Sequence, residues 1–567
     1  MKKRLSILSL FLSVVFISTS FGQDHLLEVL KEELGQQMTE LKKEEFPPYH
    51  INYRVIDKSV SYITTSFGTK MKSASFRQRR LVPQIRIGNL AFDNFKIQQM
   101  GAEGDRRGLP SVLLPLEDEG GDDAIRQAIW NETNNRYKFA VSVYQNTKAK
   151  QSVNVEEEDK APCFSEAPVE KYYEAPLPAE QLTLNMEEWT KRLKEISAVF
   201  NQYPSLLVGS ASMNYVVERR YFVNSEGSEV VQNLSYARIM VGGQVKADDG
   251  MLLPLNLSYF AYKPEDLPGN EQVIADAKEM AKTLVALRTA PVVDPFTGPA
   301  LLSGAASGVF FHEIFGHRVE GQRMKSDGDG QTFKKMVGEF VLPADMQVFD
   351  DPTIQEYAGM DLNGSYKYDD QGVKAERVNV VVDGKLNDFL MTRTPIDNHP
   401  KSNGHARGES GFDPVSRQSN LVIETKDHKT IEQLRTLLLD EVKKQGREYG
   451  YFFKEVTGGL TFTGKGGTNS FNVTPLEVYR IYADGRPDQL VRGVDLIGTP
   501  LSMFSNIIYA GGEAQVFTGM CGAESGQIPV TAISPTILVN KVETQRKAKS
   551  QDILPVLPRP ERQENVK

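Results

Sequence analysis

The chain has 567 residues, 40% of them hydrophobic and 25% charged, with a formal net charge of −8. That length supports two or three domains around a large core, and the composition is that of an ordinary globular protein. No long Lys/Arg run occurs, so the clustered positive charge that binds nucleic acid or an anionic membrane surface is missing, and no nucleic-acid partner is expected.

The first residues, "MKKRLSILSLFLSVVFISTSFGQDHLL", read as an export signal over residues 1–23. Lys2, Lys3 and Arg4 precede an apolar run from Leu5 to about Ile17, and small and polar residues follow. A membrane anchor is the competing reading, but the run falls short of the ~20 residues that a span needs. No cysteine lies near the cleavage region, which argues against a lipid anchor. The expectation is a periplasmic protein with no membrane span once the signal is removed, its net charge changed from −8 to −11 by the loss of those three cations.

The spacing predicts a helix from Asp24 to about Glu45, then strands from "YHINYRVIDKSVSYITTSFG" to "LVPQIRIGNLAF" with turns at Gly68 and Gly88. Residues 101–178 read as an irregular excursion with one helix near "DDAIRQAIWNETNNRY". "MEEWTKRLKEISAVFNQY" is an amphipathic helix, and strands follow with turns predicted at Asn224–Gly227 and Gly242–Gly243. The helix "NEQVIADAKEMAKTLVALRTA" ends before Pro291, where the main boundary is placed. Beyond it the pattern is mostly β, with a turn at Asp383–Gly384 and a helix from Thr430 with Gln433 completing a capping box. The fold class expected is α+β, with a mixed α/β domain over 24–290, a β-rich domain over 291–545 and a loosely ordered tail over 546–567.

Only two cysteines occur. Cys163 lies in a polar stretch that reads as a surface loop. Cys521 lies in "YAGGEAQVFTGMCGAESGQIPV", which reads as a glycine-rich turn. An exported chain could pair them as a disulfide; Cys521 is alternatively a metal ligand or a nucleophile.

The stretch "GVFFHEIFGHRVEG" concentrates His312, Glu313 and His317 in a chain with only seven histidines. Around a helix, His312, Glu313, Gly316, His317 and Glu320 form one stripe opposite Phe310, Phe311, Ile314 and Phe315. Zinc peptidases commonly set two such histidines four apart, on one face. Here they are five apart, so a regular helix would splay them by ~140° and ~7.5 Å along its axis. A π-type bulge around Phe315–Gly316 would bring them together, and Gly316 would leave open space between them. Spacing alone leaves two readings open: a metal site, or two histidines making ordinary hydrogen bonds in a partly buried helix.

"HEIFGHRVEG" resembles the motif of the TldD/PmbA family of metallopeptidases, His-Glu-three residues-His followed by Glu-Gly. "RRYFVNSEG", "VFDDPT", "DDQGVKAERVNVVVDGKLNDFLMTR", "SNGHARGES" and "MCGAESGQIPV" resemble family segments in family order, from about Tyr215 to Val542. The resemblance implies a β-rich catalytic domain carrying the motif helix, and a zinc ion (Zn2+) held by His312, His317 and Cys521. It also implies a TldD-like subunit that works as a homodimer or beside a PmbA/TldE-like partner, on short or unstructured peptides. The export signal and the excursion depart from the family pattern.

Three protein ligands leave a fourth zinc position for water, the catalytic arrangement. Glu313 is the candidate general base, and Glu320 either orients a ligand imidazole or merely ends the helix. "SNGHARGES" offers Asn403, His405 and Arg407 as oxyanion donors, with His405 the candidate carried forward; a surface turn is the alternative. "GLTFTGKG", from Gly459, lacks the Ser or Thr of a phosphate loop and reads as a β-turn region. A cysteine peptidase built on Cys521 would leave the His312–Glu313–His317 group unexplained. From a different class, an inactive PmbA-like peptide-binding or scaffold subunit is the alternative function.

Overall fold

The structure, a computed structural model, describes residues 24–96, 111–117, 120–151, 160–325, 331–461 and 471–547. The export signal predicted over 1–23 and the tail beyond residue 547 lie outside the described residues.

Helix α1 (His25–Leu41) starts where Asp24 accepts a hydrogen bond from the Leu27 amide, and it buries Leu26, Val29, Leu30 and Leu34. Strands β1 (Pro48–Ser66) and β2 (Thr69–Ile87) form a hairpin through Phe67 and Gly68, both at positive φ (46° and 83°). With β3 (Val112–Leu114), β4 (Lys171–Tyr173), β5 (Leu206–Asn224), β6 (Glu229–Lys246) and β7 (Leu252–Ala261) they make a seven-stranded sheet ordered β3-β2-β1-β5-β6-β4, with β7 on β6.

One face of this sheet is apolar along its full length, because alternate residues of each long strand are hydrophobic. Tyr221 and Val223 of β5 pack under α1 and α2 (Asp122–Gln151). Met213, Tyr215 and Val217 of the same strand pack under α3 (Met186–Ala198) and α4 (Asn270–Thr289). The opposite face mixes polar side chains with buried Phe222 and Val230 and docks on loops of the second half of the chain. Arg54 donates to the Gly408 carbonyl at 3.3 Å, Gln232 to the Tyr368 carbonyl at 2.7 Å, and Arg220 lies 3.5 Å from Asp370.

The helix expected within the excursion is present and runs further than its sequence signal: α2 spans 30 residues and buries Ile125 and Ile129 against the sheet. One expectation needs correction: Gly242–Gly243 is not a turn, because β6 continues through it, paired with β5 on one side and β7 on the other. A Cβ at Gly243 would sit 2.6 Å from Leu284 of α4. The glycine admits the helix rather than reversing the chain.

The second half is β-rich and built on an eleven-stranded sheet. Strand β8 (Phe296–Leu302) pairs in parallel with Tyr449–Thr461 and antiparallel with the long strand Gly526–Arg546. These three, with Phe471–Tyr482 and Val494–Gly498, close into a ring. Against these strands packs α5 (Gly304–Ile314), whose Val309, Phe310, Phe311 and Ile314 join Phe315, Phe504 and Val539 in one core. The predicted turn at Asp383–Gly384 is present with φ of 50° and 74°. Helix α6 (Ile431–Lys444) carries the Thr430/Gln433 capping box. Among the described residues no helix is long and apolar enough to cross a membrane.

Candidate metal centre

Helix α5 begins at Ser303, whose hydroxyl accepts from the Ala306 amide, and stops after Ile314. Phe315 leaves the helix with φ −111° and ψ −54°, and Gly316–Arg318 form a 3-10 turn. The widened bulge expected here is therefore replaced by an early stop and a tighter turn. The reason lies in two side chains. The Arg318 guanidinium folds back to donate to the Glu313 and Ile314 carbonyls at 2.9 and 3.1 Å, satisfying helix-end acceptors. The Gln418 amide packs on Gly316, where a Cβ would lie 1.8 Å from Gln418 Oε1. The open space expected at Gly316 is thus filled by Gln418, which also donates to the His312 carbonyl at 3.3 Å.

We expect Gly316→Ala to destabilise the fold by about 1–3 kcal/mol, the usual cost of overpacking, because Gln418 is 1% exposed and cannot swing into solvent. Denaturant unfolding measures it; a change within about 0.5 kcal/mol would mean that Gln418 can move aside.

The turn brings the two imidazoles together, with ring centroids 4.9 Å apart. The thiol of Cys521 arrives from 204 residues further along and lies between them, with Sγ 3.2 Å from His312 Nε2 and 3.3 Å from His317 Nε2. All three are buried, at 8%, 5% and 6% exposure, and their ligand atoms lie within 4.8 Å of one another. Cys521 is not in a turn. It pairs with Ile528 near the end of the hairpin Ile507–Ala523/Gly526–Arg546. Nor is it half of a disulfide: Cys521 is a free thiol, and Cys163 is buried rather than in a surface loop.

The donor set suits zinc. Zn–N of ~2.0 Å and Zn–S of ~2.3 Å at a tetrahedral angle place N and S ~3.5 Å apart, close to the separations found. The charges favour a cation's ligands as well. Burial alone would raise the Cys521 thiol, but His317, His312 and Arg417 hold it well below its usual range. Burial opposes a proton on His317, but Cys521 and Glu320 outweigh it and raise its affinity for protons well above the ordinary value.

Glu320 is where an orienting residue should be. Its carboxylate oxygens each lie 3.2 Å from His317 Nδ1, leaving Nε2 to face the sulfur. Burial would raise its pKa, but His317 and Arg323 together bring it down to about 2. Glu313 sits beside His312 at 8% exposure, and strand Tyr449–Thr461 passes flat against it, since a Cβ on Gly459 would fall 2.4 Å from Glu313 Cγ. The Gly459 end of the rejected phosphate-loop motif is thus a strand, paired with Val473; residues 462–470 lie outside the described residues. Among the described residues the Glu313 carboxylate has no hydrogen-bond partner.

The structure does not bring His405 into this group. It is fully buried, with Nε2 3.2 Å from Asp350 Oδ1 and Nδ1 3.0 Å from both the backbone oxygen and Oδ1 of Asn403. With both ring nitrogens engaged it has no free donor for a substrate oxyanion. Arg407 donates to the Gln418 carbonyl at 2.6 Å, and Asn403 bridges Met391 and Phe389. The segment is thus neither a donor loop nor a surface turn: residues 404–408 are buried and brace the core. Sequence reasoning passed over Arg323, Arg417 and Gln418, because nothing in their local spacing sets them apart from other polar residues before a strand.

Residues 296–546 match the family described as the PmbA/TldA metallopeptidase C-terminal domain. A metalloprotease of Archaeoglobus fulgidus is 27% identical over 361 residues, 63% of this chain and 77% of that protein. A zinc metalloprotease TldD homolog of Saccharolobus solfataricus is 22% identical over 371 residues, 63% of this chain and 76% of the relative. Across the first archaeal relatives the alignments span 77%, 66% and 65% of their lengths. The crystal structure of TldE from Thermococcus kodakarensis superposes with a TM-score of 0.60 over 92% of this chain and all (100%) of that one, at 14% identity, a likeness of fold. The fold is α+β, and over residues 296–546 the chain is similar to the PmbA/TldA metallopeptidases.

Proposed function

We propose that this protein is a zinc-dependent peptidase that hydrolyses short or unstructured peptides. The observation that carries the proposal is the convergence of His312, His317 and Cys521 in one buried cluster beside Glu313. Those three residues would hold the zinc, which when bound polarises water and the scissile carbonyl. Glu313 takes the proton from the attacking water on its carboxylate and returns it to the leaving amine. Glu320 keeps His317 in the tautomer that presents Nε2. The likeness of fold to TldE, beside sequence relatives named as TldD homologs, supports a homodimer or a heterodimer with a TldE-like subunit, and the basic-then-apolar start of the sequence supports action in the periplasm.

The test is elemental analysis and peptide digestion of the purified protein. About one zinc per chain is expected, with cleavage of a mixed short-peptide library and little attack on a stable folded protein. A zinc-free protein from zinc-replete growth would favour the inactive scaffold subunit instead. Efficient digestion of the folded protein would overturn the substrate assignment.

A further inference from the structure

The histidines and the cysteine lie on two elements that already pack together away from the ligands, where Ser307 Oγ meets Ser534 Oγ at 2.7 Å, and the question is what sets their register at the ligand end. We propose that Arg417 is the positioning residue that locks the Cys521 arm to the histidine arm; the inference rests on the zinc reading above. Arg417 is fully buried. Its Nη2 donates to the Cys521 carbonyl at 2.7 Å, and its Nη1 to Ser525 Oγ at 2.8 Å and the Gly526 carbonyl at 3.2 Å. It therefore grips the hairpin end that carries the sulfur. Its Nε lies 3.7 Å from Glu320 Oε1, and Glu320 is the carboxylate against His317 Nδ1.

The neighbours of Arg417 extend the clamp. The Ser416 amide donates to Gln322 Oε1 at 2.6 Å, just beyond the motif. Gln418 holds the His312 carbonyl and fills the notch at Gly316. Three consecutive residues thus touch the helix end, the segment after the motif and the hairpin. Around Glu320 the charges alternate: Arg323 donates to it at 2.8 Å and reaches Glu524 at 3.0 Å on the hairpin side. A planar, forked guanidinium is needed here, because three acceptors on one side and a carboxylate on another cannot all be met by a compact ammonium.

The experiment compares zinc affinity by competition with a chromogenic chelator, and the thiolate-to-metal charge-transfer band of the cobalt-substituted protein, in wild type, Arg417→Lys and Arg393→Lys. Arg393 is an equally buried arginine, 1% exposed, that pairs with Glu226 and the Ser165 carbonyl away from the cluster. Arg417→Lys should bind zinc about 10–100-fold more weakly, the range for lost orienting partners, with a weakened or shifted cobalt band. Arg393→Lys should lower thermal stability without moving either metal readout. Wild-type affinity and spectrum in Arg417→Lys would overturn the proposal, and so would an equal loss of affinity in Arg393→Lys. If Arg417→Lys fails to fold, Ser525→Ala removes one anchor alone and should weaken zinc by at least about threefold; no change would overturn the idea. Wild-type protein that binds neither metal would instead overturn the peptidase reading itself.

Discussion

Replacing Cys521 with serine should strip the protein of its metal while leaving the fold standing. Sγ is the one ligand atom that lies against both imidazoles, at 3.2 and 3.3 Å, so its loss opens the cluster at its centre. The surrounding charges already favour the thiolate over the thiol, whereas a serine hydroxyl stays protonated and is a poor ligand for zinc beside a thiolate. The affinity loss should exceed the ~10–100-fold typical of disturbing an outer partner, leaving little zinc after dialysis. The hairpin pairing of Cys521 with Ile528 is made by the backbone and survives the change, so unfolding of the metal-free protein should shift by only about 1–3 kcal/mol, the cost of a buried hydroxyl left without a partner. Equilibrium dialysis with elemental analysis, alongside a thermal melt, separates the two effects. Serine variants that keep wild-type zinc would remove Cys521 from the ligand set.

The parts of this fold legible in the sequence are those set by local chemistry. Thr430 and Gln433 announce the start of α6 because a capping box satisfies amides within one turn. Asp383–Gly384 announces a hairpin because both positions need positive φ. The glycines that misled are those required by a neighbour distant in sequence. Gly243 makes room for α4, Gly316 for Gln418, and Gly511 for the Lys429 backbone, whose oxygen would lie 2.1 Å from a Cβ. From the sequence each looks like a turn or a gap, and the residue that explains it is elsewhere. The cluster divides in the same way. His312, Glu313 and His317 were visible as a stripe on one segment, but Cys521 was tied to them by family resemblance and not by spacing. His405 looked like a free donor because Asp350, its partner, lies 55 residues away. Arg417 had no signal at all, since its acceptors are carbonyls and a hydroxyl on a strand end more than a hundred residues on.

Glu313→Gln should abolish hydrolysis and spare the metal, and this contrast is the sharpest test of how the site works. Glu313 precedes the C-terminal end of α5, and its backbone carbonyl is held by Arg318. The amide of glutamine is nearly the same size as the carboxylate, so it fits the slot left by Gly459 without new clashes. Neither oxygen of Glu313 belongs to the His312–His317–Cys521 cluster, so zinc content and the cobalt spectrum should match wild type. A glutamine amide cannot take a proton from water or return one to the departing amine. The turnover number should therefore fall by about 10²–10⁴-fold, the span that a positioned general base supplies, with the Michaelis constant for a short peptide little changed, because the interaction lost belongs to the transition state. Zinc-loaded Glu313→Gln that cleaved at the wild-type rate would show that another group carries the proton. A variant that lost zinc along with activity would show instead that Glu313 supports the metal and that the base has yet to be found.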